Sequence, residues 1–415
     1  MQNTGMSIHG SSLTPIDKAL AQLLSGLDTV AATETVALAD ALGRVVVSDQ
    51  TSAIDVPGFA ISAMDGYAVA TADLLAEQRR FAISQRIPAG RVGSRLAAGS
   101  VARIFTGAPL PPGADAVIMQ ENTRLEGEEL EVLQAVVAGE NVRPVGDDVR
   151  HGSLLVEAGQ RLRAPDIGML AGSGISTIEV RKPLRVAVLT TGDELVRPGK
   201  TLQPGQIYNS NFYLLDSLLQ GLGHRVEDCG IVEDTLPATE AALRRAAENA
   251  DCIISSGGVS AGEEDHVRMA LEKVGRLALW KLAIKPGKPF AFGHVGSTPF
   301  FGLPGNPVSA FVTYGLLVRP ALDRLAGALP TRHLPLWLPV DFDIARGGAR
   351  QQYVRVRCSN EGESGPVMHL AGNQSSGVLS AVRGADGLAV VPVGATVRRG
   401  DRLRFIPLSE IVGQV

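Results

Sequence analysis

Cysteine is scarce in this chain, and so are aromatic residues. Cys229, Cys252 and Cys358 lie far apart with no CxxC pair, a pattern that fits a reducing cytoplasm rather than a disulfide framework. Each reads as a small buried hydrophobe. Phe, Trp and Tyr make up only 4% of residues and the formal net charge is -4, so neither base-stacking surfaces nor a basic footprint points to nucleic acid. Long apolar runs are missing too: the most apolar window, Phe300 to Val318, is broken by Pro304, Gly305, Asn306 and Pro307, which leaves too little to span a bilayer. No membrane partner is expected. The opening MQNTGMSIHGSS has neither a basic flank nor an apolar stretch, so no secretion signal is read there and a cytoplasmic location follows. The 7 histidines show no metal-ligand spacing, and GxGxxG and GxxxxGK[ST] are both absent. Zinc hydrolases, dinucleotide enzymes and P-loop proteins therefore lose support.

What is present is the composition of a soluble globular protein, 45% hydrophobic and 20% charged over 415 residues, long enough for several domains. Thr14-Pro15-Ile16-Asp17 reads as a helix start with Pro15 at the first helical position, followed by Leu20, Leu23, Leu24 and Leu27 at helical spacing. From Val56 to about Val149 the texture changes to short alternating runs broken by glycine and proline, with EGEE as a turn. RAPDIGMLAGSGI then resumes a helical pattern, so the β-rich segment reads as an insertion. Leu184 to about Leu329 alternates strand and helix, which implies right-handed crossovers and a mostly parallel sheet. After Pro330 come YVRVRC and GLAVVPVGATVRRGDRLRFIPL, read as a small terminal β-barrel or sandwich. The division expected is 12–53 with 152–181 as a helical linking domain, 54–151 as an inserted β-rich domain, 182–329 as a doubly wound α/β domain, and 330–415 as the barrel.

Ligands of open α/β sheets sit beyond the carboxyl ends of the strands, and here those positions are rich in polar residues. LRVAVL runs into Thr190-Thr191-Gly192-Asp193-Glu194, GIV into Glu233-Asp234, and DCII into SSGGVSAGEEDH, residues 255–266. Gly257, Gly258 and Gly262 permit close backbone approach and Ser255, Ser256 and Ser260 add hydroxyls before a helix start, a phosphate cradle by one reading and a tight turn by the other. Lys285-Pro286-Gly287-Lys288-Pro289 suits an anionic substrate, or is a solvated loop; Lys281 joins the face of Lys285 if KLAI is extended. Asp193, Glu194, Asp234 and Asp265 fall at the same sheet edge. Carboxylates beside phosphate commonly imply bridging Mg²⁺, although each acid alone reads as a helix cap or solvated residue.

Taken in order, SAMDGYAV, FTGAPLPPGADAV, LTTGDELV, SSGGVSAGEEDH, KLAIKPGKPFAFG and GLPGNPVSAF resemble the molybdopterin molybdenumtransferase family, the molybdenum insertases that include the E domain of gephyrin. GNQSS is the clearest link in the last eighty or so residues. The resemblance implies insertion of molybdate into adenylylated molybdopterin with release of AMP, assisted by Mg²⁺. It also implies a homodimer whose active cleft lies between the α/β domain of one subunit and the β-rich insertion of the other. Carried over position by position, the functional acids fall on Asp65, Asp148, Glu194, Asp234 and Asp265, with Glu194 and Asp265 as metal ligands. Substrate-binding positions fall on Thr106, Arg143, Ser256, Gly257, Gly258, Lys281, Lys285, Lys288, Pro304, Pro307, Ser309 and Arg350. By similarity Lys285, Lys288, Ser309 and Arg350 hold molybdate, an oxyanion suited to such donors, while Glu263 and Glu264 revert to a charged first helical turn. The chain departs from the family's usual arginine-rich run at Pro144 and Val145, and from a basic residue near Gly377. An adenylyltransferase and recipient molybdoenzymes would be transient partners. The competing readings are a molybdopterin adenylyltransferase, which usually needs only the α/β domain, and a non-catalytic scaffold, which has no need of the acid and lysine set.

Overall fold

The computed structural model describes residues 13–74, 79–259, 266–331, 334–360 and 365–413. Asp265, with Ser260, Gly262, Glu263 and Glu264, lies outside the described residues. The first helix runs Ile16–Ser25 and buries Ile16, Ala19 and Leu23, with Leu20 and Leu24 packed against the same core. Its start differs from the sequence reading: Pro15 is the N-cap rather than the first helical residue, and Thr14 instead bridges to Leu282. A threonine whose backbone is recruited into a bridge is held in extended geometry, which moves the helix start on by one residue.

Strands on either side of the β-rich segment pair with each other, Thr33–Ala37 with Thr177–Arg181 and Gln50–Thr51 with Leu154–Val156. The helix Ala164–Gly172 lies between Leu154–Val156 and Thr177–Arg181, with Asp166 accepting from the backbone N–H and guanidinium of Arg163 at its start. Between these flanks a six-stranded sheet runs in the order Ala116–Met119, Gly66–Val69, Ser100–Ile104, Arg80–Ile87, Glu129–Val132, Thr123–Glu126. EGEE forms the turn of its last hairpin, as its turn chemistry predicts.

The central sheet comprises β1 (Arg185–Thr191), β2 (Arg225–Val232), β3 (Cys252–Ser256), β4 (Gly275–Trp280), β5 (Ala291–Val295) and β6 (Thr298–Leu303), in the order β2-β1-β3-β6-β5-β4. The four strands β2, β1, β3 and β6 are parallel, while β5 and β4 add an antiparallel edge. GRLALW, the β4 strand, is not expected from the sequence; it follows its helix directly, with Gly275 alone marking the change. Helices α1 (Ser210–Gly221), α2 (Leu236–Asn249), α3 (His266–Val274) and α4 (Pro307–Thr313) cover both faces. Alternation along β1 explains the double winding: Val186 and Val188 join one core with α1 and α4, while Ala187 and Leu189 join another with α2 and α3. Strands buried on both sides read as continuous apolar runs, which is why LRVAVL and DCII carry no alternation.

The C-terminal strands form a sheet in the order Leu336–Pro339, Arg402–Pro407, Gly387–Val391, Gln351–Ser359, Val367–Leu370, and a bridge between Val340 and Met368 joins its two ends into a small barrel. Val354, Val356, Met368, Ala389, Val391, Leu403 and Phe405 fill its interior. A two-residue strand of the central domain, Ile284–Lys285, pairs in parallel with Gln351 and Gln352 of the barrel.

Candidate functional site

Three strand ends converge around the glycine-rich loop. Thr191 ends β1 with its hydroxyl buried and without a hydrogen-bond partner, and Ser255 and Ser256 end β3, both buried. Gly257 and Gly258 follow at φ +98° and +63°, conformations that favour glycine, and a Cβ on Gly257 would meet the carbonyl oxygen of Thr191 at 2.5 Å. The glycines therefore let the loop lie against β1. Ser256 is committed to the scaffold: its Oγ accepts from Asn211 Nδ2 at 2.8 Å and donates to the Pro304 carbonyl at 3.2 Å. Asn211 also donates to the Gly305 carbonyl at 2.7 Å, so this one amide ties the start of α1 to two neighbouring loops. Sequence reading missed Asn211; only its place two residues after the α1 cap residue, Asn209, hinted at it. Its Oδ1, like Ser255 Oγ, is buried without a partner, which leaves polar atoms at this edge for water or ligand.

Glu194 is exposed, its carboxylate lying over Gly192, while Asp193 accepts from the Asp234 backbone N–H at 3.3 Å. The ends of β1 and β2 are thereby joined. Among the described residues no group of three His, Cys, Asp or Glu side chains forms a metal cage. Mg²⁺ does not require one, since one or two carboxylates with phosphate oxygens and water suffice. An exposed carboxylate beside a glycine-rich loop is a donor set of that kind.

The lysine segment meets the barrel. KLAI is not one extended run: Lys281 has φ +66° and separates β4 from Ile284–Lys285. The alternation expected to put Lys281 and Lys285 on one face is interrupted, because the Lys281 and Leu282 N–H groups turn back to bond Phe290 and Lys288 carbonyls at 3.2 and 2.8 Å. Lys285 and Lys288 are exposed. Arg350 donates from Nη1 to the Ile284 carbonyl at 3.2 Å, next to Lys285. Pro304 is buried, Pro307 opens α4, and Ser309, 4% exposed, lies within its first turn. The Val308 N–H donates to the Ser376 carbonyl at 3.1 Å, which sets GNQSS against the start of α4. Behind GNQSS stands Arg355, only 1% exposed, whose Nη2 donates to the Asn373 and Ser375 carbonyls, each at 3.2 Å. Gln374 pairs with the Arg355 backbone through both its amide atoms, at 2.9 and 3.0 Å. Burial lowers the Arg355 pKa. Its role was not legible as a motif, since Arg355 and GNQSS meet only through barrel register.

The remaining predicted residues lie on the β-rich segment. Asp65 and Thr106 are exposed, and Asp65 accepts the Thr106 backbone N–H and hydroxyl. These bonds, the backbone one first, hold its carboxyl below the ordinary carboxylate range. Arg143 is ion-paired with Asp147 at 2.8 Å, and Asp148 is exposed, its N–H bonded to the Val56 carbonyl at 3.0 Å. Among the described residues, the hydrogen bonds of these four stay within the β-rich segment.

Residues 14–174 match the description MoeA N-terminal region (domain I and II), 187–324 that of a probable molybdopterin binding domain, and 338–408 that of the MoeA C-terminal region (domain IV). A molybdopterin molybdenumtransferase of Haemophilus influenzae is 42% identical over 313 residues, covering 75% of this chain and 78% of that protein. One from Nostoc is 36% identical over 385 residues, covering 90% and 88%. The chain belongs to the molybdopterin molybdenumtransferase family. It is thus a transferase of molybdenum cofactor biosynthesis. The crystal structure of the molybdopterin biosynthesis moeA protein from Pyrococcus horikoshii OT3 superimposes with a TM-score of 0.81 at 28% identity, over 95% of this chain and 99% of that one. The multi-domain architecture expected from the sequence, with a central α/β domain and a terminal β domain, is that of the molybdenumtransferases.

Proposed function

We propose that this molybdenumtransferase inserts molybdate into adenylylated molybdopterin and releases AMP, with Mg²⁺ held by Glu194 and Asp265. The observation that carries this reading is the junction of the central sheet and barrel. Arg350 bonds the carbonyl beside Lys285, and Ser376 bonds the N–H beside Ser309. The barrel thus meets both the lysine segment and the start of α4, and preorganised guanidinium, ammonium and hydroxyl donors from such elements favour an oxyanion approaching a phosphate anhydride. Lys281 and Lys288 add positive charge along the same segment, and the N–H groups of Gly257 and Gly258 serve the phosphates. When bound, Mg²⁺ would neutralise phosphoryl charge and polarise the bond to the leaving AMP.

Asp65, Thr106, Arg143 and Asp148 complete the site from the partner subunit of a homodimer. Among the described residues their bonds lie within the β-rich segment, which leaves their exposed sides for a ligand held elsewhere. Asp234, fixed by Asp193 at the end of β2, assists at the phosphate end, and Pro304 and Pro307 shape the loop before Ser309. An adenylyltransferase supplies the substrate and molybdoenzymes receive the product, all in the cytoplasm. Purified protein given adenylylated molybdopterin, molybdate and Mg²⁺ is expected to release AMP and reconstitute an apo-molybdoenzyme. Absence of molybdate-dependent AMP release from well-folded protein overturns this reading.

A further inference from the structure

The outer face of the barrel carries a chain of three side chains that the transferase reaction leaves unused. Ser359 Oγ lies 2.7 Å from His369 Nε2, and His369 Nδ1 lies 3.2 Å from Asp341 Oδ2. The ladder explains the meeting. Val356 and Met368 point into the barrel with Cys358 packed against that core, so Ser359 and His369 share the outer face; Ser359 pairs with Val367 and Arg357 with His369, a diagonal reach. Asp341 arrives from the far strand of the barrel, its N–H bonded to the Met368 carbonyl at 2.8 Å, and Arg399 Nε holds its other oxygen at 3.3 Å. Nucleophile, base and orienting acid therefore stand in sequence, and such a constellation is recognised by geometry and not by chain order or a motif.

We infer that Ser359, His369 and Asp341 form a second, hydrolytic centre that cleaves short-chain acyl esters bearing an anionic tail. A cleft of about 310 Å³ is lined by Arg357, which stands opposite His369 in the ladder, with Ala371, Asn373, Val378, Ser380 and Ala381 among its other walls. A mostly apolar cleft with one cation in its lining accepts a short acyl chain ending in a carboxylate. His369 and Asp341 have side-chain exposures of 38% and 44%, so water and substrate both reach the centre. In the step proposed, Ser359 Oγ bonds to the acyl carbon as its proton passes to His369 Nε2. The ester C–O bond breaks and the alcohol leaves with that proton. Water then repeats the transfer on the acyl-serine, releasing the acid and restoring Ser359.

The test uses the full chain, a fluorophosphonate probe with peptide mapping by mass spectrometry, and two chromogenic esters, 4-nitrophenyl acetate and mono-4-nitrophenyl succinate. Phosphonylation at Ser359 is expected, with ester hydrolysis lost in Ser359→Ala and reduced about 100-fold or more in His369→Gln. The succinate ester is expected to outrun the acetate, and Arg357→Gln to abolish that preference. Molybdate-dependent AMP release stays at its unmodified level in Ser359→Ala, which separates this centre from the transferase site. Ser359→Ala removes only one oxygen, so thermal unfolding close to wild type certifies the fold. An unlabelled Ser359 in folded protein, or hydrolysis unchanged by Ser359→Ala, overturns the proposal and leaves the three residues as a strap across the barrel seam.

Discussion

Two donors of Thr106, its backbone N–H and its hydroxyl, converge on the same oxygen of Asp65, each at 2.8 Å. Both favour the ionised carboxyl, so Asp65 titrates below its unfolded value. Their stabilisation is complete above the unfolded carboxylate range and is lost as pH falls through the folded pKa. Thr106→Val removes the hydroxyl donor and is expected to raise the Asp65 pKa toward the ordinary value. Carboxyl-carbon NMR titration reads this directly; an unshifted titration would show that the backbone bond alone sets it.

Gly257→Ala places a Cβ 2.5 Å from the Thr191 carbonyl oxygen at a φ of +98°. Left-handed strain alone costs roughly 1–3 kcal/mol, and the loop must also lift from β1. A lower midpoint in thermal unfolding, together with loss of AMP release, is expected. Retained release at full stability would mean that the loop does not cradle phosphate.

His224 is buried with both ring nitrogens unpartnered, and desolvation, aided by the charge of Arg161, depresses its pKa to about 4. The unfolded chain therefore binds a proton that the folded chain refuses between pH 6.5 and about 4, and stability falls with acidification across that window. At about 1.4 kcal/mol per pH unit the loss is on the order of 3 kcal/mol. His224→Leu is expected to flatten this part of the pH profile in urea unfolding. A profile identical to wild type would place the titration elsewhere.

Arg355→Met is expected to release the GNQSS loop, because the Asn373 and Ser375 carbonyls lose their shared donor. A hydrogen bond to a charged group contributes about 1.5–3 kcal/mol. The measurement is KM for molybdate against thermal midpoint: the midpoint falls and KM rises. A fall in midpoint with KM unchanged would make Arg355 a barrel residue only.

Legibility followed chain distance. LTTGDELV and SSGGVSAG are contiguous, so their place after buried strands could be read directly, and β1 and β3 end there. Thr14 and Lys281 depart from the sequence reading for one reason: each backbone is taken by a partner far along the chain, Thr14 by Leu282 in the bridge and Lys281 by the Thr14 N–H on its carbonyl. Asn211, Arg355 and the meeting of Ser359 with His369 depend on packing and strand register, which no spacing in the sequence encodes. Asp65 and Thr106 emerged only through resemblance, since composition alone reads both as turn residues.

The pairing of Ile284–Lys285 with Gln351 and Gln352 bears on dissection of the chain. A fragment ending after the central domain would leave Ile284–Lys285 as an unpaired edge, with its carbonyls and amides open to another chain. It would also strip Arg350 from the Ile284 carbonyl and Ser376 from the Val308 N–H. Such a fragment would keep the glycine loop yet present its lysines on a frayed rim prone to self-association, making the barrel a template for the active surface rather than an appendage.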